Sequence, residues 1–204
     1  MLIKHYPGGK SAVHEDDLEV NGETIVLTDD ETGRTITCTI ERFLEVDNQD
    51  YALLLPVDSP VEIFEWQGTD DEDEEAVPVE DEAIIDQVFA IAKAVLEEQN
   101  LTLKRTAVML TVEGELPDLD EEDEFLDLAA EDEDEVEELQ FLASFYYEEQ
   151  EFAVYAPLDP CFILVRMDED NQPKLLSPEE LKKLEPMLAM IEDQLFDEFE
   201  AAGS

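Results

Sequence analysis

Cations are the scarcest chemistry in this chain: its 204 residues carry 11 Lys and Arg against 58 Asp and Glu, a formal charge of −47. A phosphate backbone is held by clustered Lys and Arg that displace counterions, so direct nucleic-acid binding is excluded. The same imbalance opposes lying on an anionic lipid surface, and no direct lipid insertion is expected. Glycine is sparse, with 7 residues, and Gly8-Gly9-Lys10 lacks the upstream strand and the spacing of a phosphate-cradling loop. The two histidines, His5 and His14, sit in a polar N-terminal stretch with no partner pattern. A histidine-based catalytic or metal site is therefore unsupported. The two cysteines, Cys38 and Cys161, form no CxxC pair and read as small buried thiols in a reducing compartment. No apolar run reaches the ~18 residues of a membrane-spanning helix. The start MLIKHYPGGK lacks the hydrophobic stretch of a secretory signal. The expected location is cytoplasmic.

What the chain does have is a core: 44% of its residues are hydrophobic and 10 are Phe, so it is not an acidic disordered tail throughout. After a loose lead-in over residues 1–20, Thr24 to Thr28 reads as a β-branched strand, and Asp29 to Gly33 as a turn. Arg34 to about Leu44 alternates, with Ile36, Cys38 and Ile40 on one face and Thr35, Thr37 and Thr39 on the other. Asp47 to Asp50 turns the chain into Tyr51–Leu55, apolar on both faces and so central in a sheet. Val61 to Trp66 is a fourth strand, and four consecutive antiparallel strands make a meander. The six acids from Asp70 to Glu75 read as a solvated loop. A helix from about Asp81 to Glu98 has a wide apolar stripe: Ile84, Val88, Ile91 and Val95, flanked by Ile85, Phe89, Ala92 and Leu96.

The second half repeats this order. Asp50 to Asp58 aligns without gaps on Glu151 to Asp159, and Val61, Ile63 and Glu65 fall on Phe162, Leu164 and Arg166. Thr106 to Val112 takes the part of the first strand, and Leu139, Phe141, Ala143, Phe145 and Tyr147 alternate as the second. Ser177-Pro178-Glu179-Glu180 is a capping box opening a helix. Its buried stripe is Leu181, Leu184, Leu188, Ile191, Leu195 and Phe199, with a kink at Pro186. Asp118 to Glu138 holds 14 acids in 21 residues and reads as a mobile insertion. Within it, Phe125-Leu126-Asp127-Leu128 reads either as a helical turn touching the sheet or as an acidic-hydrophobic peptide presented to a partner. The expected fold class is α+β, two tandem antiparallel meander-plus-helix units forming an internal repeat: residues 21–100, then 101–204 with the insertion 118–138.

The segment Asp168 to Glu179 partly mimics a calcium loop, but Pro173 stands where the sharp turn needs Gly. It reads as a connection. With so many carboxylates, any acid–base pair carries little information. No motif supplies a nucleophile or a cofactor fingerprint, so the reading is a non-enzyme with no cofactor. The acidic surface serves solubility, or recruits a basic partner by electrostatic steering. Cytosolic loops of membrane proteins carry excess Lys and Arg and suit such a partner. Trp66, Tyr146 and Tyr147, together with Phe125, Leu126 and Leu128, are the candidate anchors. Two alternatives stand beside this: a nucleic-acid mimic or other acidic binder of a basic soluble protein, and a weak calcium-binding protein, which salt would discriminate from diffuse attraction.

The stretch Thr24 to Gly33, with the strand from Ile36 to Phe43 and Tyr51-Ala52-Leu53-Leu54-Leu55-Pro56-Val57, resembles the small acidic YrzB-like family of bacteria. The second half, with Ala153 to Pro160 and Leu176-Ser177-Pro178-Glu179-Glu180-Leu181, is similar to an uncharacterised domain of cyanobacteria and chloroplasts. A plant relative of that domain is associated with photosystem I accumulation. The resemblance implies a non-enzymatic adaptor or assembly factor for photosystem I, peripheral at the cytosolic or stromal face of the thylakoid. It would meet basic loops of a thylakoid membrane protein or another assembly factor.

Overall fold

The computed structural model describes residues 22–67, 75–119, 125–129 and 136–184. The fold is β-rich α+β, built from two antiparallel sheets. β1 (Thr24–Thr28), β2 (Thr35–Val46) and β3 (Gln49–Pro56) follow one another as hairpins. The β2–β3 turn is the residue pair Asp47-Asn48, both at positive φ, whose twist matches that of the strands. At Pro56 the chain leaves this sheet. β4 (Ser59–Gln67) lies in the second sheet, flanked on one edge by the short β5 (Glu75–Pro78).

Helix α1 (Glu82–Glu97) begins where the Asp81 carboxylate accepts from the Ala83 N–H at 2.7 Å. It buries Val88, Ala92 and Leu96, and Ile84, Ile85, Phe89, Ile91 and Val95 pack beside them. The hairpin β6 (Thr102–Arg105) and β7 (Leu110–Glu113) adds to the N-terminal part of β4. β8 (Phe125–Ala129), β9 (Val136–Tyr147) and β10 (Gln150–Pro157) form the rest of the second sheet, in the order β6-β7-β4-β10-β9-β8. β11 (Ile163–Met167) and β12 (Pro173–Leu175) cross back to complete the first sheet, β1-β2-β3-β11-β12. A second helical segment over 178–184 closes the described chain.

The two expected four-strand meanders are thus corrected. β3 pairs with β11, not with β4, and β4 pairs with β10. Each half supplies its fourth strand to the other half's sheet. The registers share a constant offset. Adding 101 to the first member of Leu53↔Leu164 and subtracting it from the second gives Val154↔Ile63, and the same holds for all four pairs at each exchange. The β2–β3 and β9–β10 ladders also coincide at this offset, down to the bulges at Glu41 and Leu142, as do β1–β2 and β8–β9.

Residues 106–109 form the turn between β6 and β7, tied by Thr106 N–H to Met109 C=O at 3.0 Å, so Thr106 to Val112 is not one strand. The first-strand position falls to β8, and Phe125 to Leu128 is strand instead of helical turn. The bulge at Leu142 splits the alternation of β9: Leu139 and Phe141 join one core, Ala143, Phe145 and Tyr147 the other. The capping box forms as expected: the Ser177 N–H donates to Glu180 at 3.0 Å, and the Glu180 N–H to the Ser177 hydroxyl at 3.3 Å. Leu184 is buried, but Leu181 is exposed and leaves the expected stripe; Pro186, Leu188, Ile191, Leu195 and Phe199 lie outside the described residues. So do the lead-in, residues 68–74 and most of the acidic insertion.

The cores follow from this weave. In the first sheet, Leu27, Ile36, Cys38, Ile40, Ala52, Leu54 and Val165 share one face, against which Ala107 and Met109 of the β6–β7 turn pack. The other face carries Leu44, Tyr51, Leu53 and Leu164 under Leu184. In the second sheet, Val61, Ile63, Phe145, Phe152 and Val154 lie with the buried residues of α1. Phe64, Leu139, Ala153 and Tyr155 take the opposite face, with Trp66 and Phe141. β1 and β12, the two ends of the first sheet, approach each other, and Lys174 meets Asp30 at 3.3 Å. That curl shields edges that would otherwise recruit other strands.

Candidate protein-docking surface

The candidate anchors separate into three places. Trp66, near the end of β4, is half-buried against the core of Phe64 and Tyr155, and its carbonyl accepts from the Gln150 side-chain amide. Tyr146, on β9, is 64% exposed and donates its hydroxyl to Glu151 at 2.5 Å. Strand alternation places Tyr146 opposite Phe145 and Tyr147, on the face that carries Trp66. These two are brought to the same face and the same end of the second sheet. Tyr147 lies on the other face, packed beside α1, with its hydroxyl donating to Gln87 at 3.4 Å. Phe125, Leu126 and Leu128 belong to β8, the end strand of the sheet order, in register with Gln140, Leu139 and Glu137.

Six of the cations face carboxylates of the chain itself. Lys104 meets Asp58 and Glu113, each at 2.9 Å, and its pKa rises above the usual lysine value because it donates to Asp58 and then to Glu113. Arg105, largely covered, holds Glu82 and Asp86, fastening the first turns of α1 to β6. Arg166 meets Glu180 at 2.7 Å, Lys183 meets Asp47 at 3.0 Å, and Arg34 lies 3.9 Å from Glu82. The Lys183 pKa is raised, first by its hydrogen bond to Asp47. Glu180 is lowered, chiefly by the Ser177 backbone N–H and hydroxyl. Asp29 is lowered, first by the Thr32 hydroxyl and then by the Glu31 N–H. The adjacent Lys104-Arg105 pair is the sequence signal for this tethering.

Two exposed apolar side chains mark the crossovers between the sheets. Val57 and Leu158 are 56% and 37% exposed at the two crossovers, directly after Pro56 and Pro157. The backbone N–H of each donates at 3.0 Å, to Thr37 and Glu138 respectively. The aligned Pro-Val-Asp and Pro-Leu-Asp triplets were their signal.

Burial raises the Cys38 thiol to about 11, while Cys161 is half-buried. The Asp168 carboxylate accepts from the Asp170 and Gln172 N–H groups at 2.9 and 2.8 Å, closing the β11–β12 turn. Among the described residues, no group of three or more His, Cys, Asp or Glu is placed to hold a metal ion. No helix among them is long and apolar enough to cross a membrane.

Two family models match the chain. Residues 31–97 match one described as a protein of unknown function (DUF1292), and residues 100–198 match another described as a protein of unknown function (DUF3727). No curated protein and no solved structure matches.

Proposed function

We propose that this protein is a non-enzymatic acidic adaptor that docks on basic protein surfaces. The observation that carries the reading is the internal use of cations: Arg34, Lys104, Arg105, Arg166, Lys174 and Lys183 all face carboxylates of the chain itself. With 58 acids against 11 Lys and Arg, those pairs leave a large surplus of negative charge for a cationic partner. Exposed Tyr146 beside half-buried Trp66 supports an aromatic anchor at one end of the second sheet.

The same reading takes the chain as an internal repeat, supported by the 101-residue offset between ladders. The resemblance of its second half supports a setting in oxygenic phototrophs, with the docking partner a basic cytosolic or stromal loop in photosystem I biogenesis. Affinity purification of tagged protein from thylakoid extracts across a salt series tests this. A specific basic partner is recovered at low salt and lost as the screening length falls from about 10 Å toward 3 Å. Deletion of the gene lowers photosystem I relative to photosystem II. Unchanged photosystem levels, with no partner retained at any salt, refute the reading.

A further inference from the structure

We propose that the two four-strand units, β1–β4 and β8–β11, are obligate and mutually selective strand-exchange partners: the β3 edge, Tyr51–Leu54, is a docking edge for the fourth strand of the other unit and rejects that of its own kind. This inference rests on register and core volume, and is independent of what the acidic surface binds.

The observed pairing places Leu164 opposite Leu53 and Val165 opposite Ala52 in the first sheet. The equivalent pairs in the second are Ile63 with Val154 and Phe64 with Ala153. Because the offset is constant, β4 from a second copy would meet the β3 edge in the same register as β11. The backbone therefore permits a homotypic pair of first units.

The side chains oppose it. Val165 and Phe64 occupy equivalent positions, and both are fully buried. Placing Phe64 at the Val165 position overfills the core of Leu27, Cys38 and Leu54. The next equivalent pair is Ile163, 8% exposed in that core, and Glu62, which is exposed. A homotypic first-unit pair would bring the Glu62 carboxylate against Leu54, an apolar setting that disfavours its charge. In a homotypic second-unit pair, Val165 would stand in for Phe64 and Met167 for Trp66, leaving a void beside Tyr155 and Phe141. Only the mixed pairing fills both cores.

A protease site inserted between Asp120 and Glu121 of the full chain, in the stretch joining β7 to β8, tests this. After cleavage the two pieces are expected to coelute at the size of the intact chain, in equal amounts, and to reassemble as the same mixed complex after denaturation and dialysis. Separation into two independently folded pieces, or homotypic pairs formed as readily as mixed ones, overturns the proposal. If the insertion prevents folding, native-state hydrogen exchange on the unaltered chain decides. Equal protection for the amides of the β3–β11 and β4–β10 ladders supports it, and two protection classes divided between the halves of the chain overturn it.

Discussion

Replacing Leu54 with Ala perturbs the first sheet at a site that tests whether the second sheet unfolds with it. Leu54 is fully buried, pairs with Ile163 from the second half, and packs among Leu27, Cys38 and Val165. Truncating a Leu in such a setting removes transfer free energy and leaves a cavity, together about 2–5 kcal/mol. The probe is already in place: Trp66 is the only tryptophan, and it sits on β4 in the second sheet. With a urea slope of about 2–3 kcal/mol per molar, the midpoint falls by about 0.7–2.5 M. Because β3 and β4, and likewise β10 and β11, are joined by short connections across the two sheets, Trp66 fluorescence and far-UV circular dichroism shift together by that amount. A Trp66 midpoint that stays in place while circular dichroism splits into two steps would refute the shared-strand argument.

Three further outcomes are expected. Ser177→Ala removes the hydroxyl that accepts from the Glu180 N–H, leaves the backbone N–H half of the capping box in place, and costs about 1 kcal/mol, read as a lowered melting temperature. Gly114→Ala costs about 1–3 kcal/mol in the same measurement, because φ is +139° and an added Cβ would lie 2.8 Å from the Asn100 carbonyl oxygen. Thiol titration of the native protein at pH 8 leaves Cys38 unmodified: the thiolate is the reactive form, and a value near 11 keeps it protonated until the pH approaches that range. Unfolding releases Cys38 to react, and rapid native modification of both thiols would contradict its burial.

The elements with local signals were legible in sequence. β2 announced itself through Ile36, Cys38 and Ile40, and α1 through its apolar stripe. The second helix was fixed at its start by Ser177 and Glu180. β8 was hidden because its neighbours are carboxylates that oppose any packed reading, and β5 and β12 are too short to show a period. The bulge at Leu142 escaped because an unbroken alternation and a shifted one look alike in one dimension. Strand partnership escaped for a deeper reason. Nothing local distinguishes β4 beside β3 from β11 beside β3; the choice lies in volumes such as Phe64 over Ala153 and Val165 over Ala52. The candidate anchors were legible as residue types, but their grouping of Trp66 with Tyr146, apart from Tyr147, required the sheet.

The crossover at Pro56 also sets a timetable for a chain emerging from the ribosome. β3 is made early, yet the segment that seats against it, Ile163–Arg166, is translated roughly a hundred residues later, so its edge stays bare through most of synthesis. Like-charge repulsion between such anionic chains opposes their pairing edge to edge on a polysome during that wait.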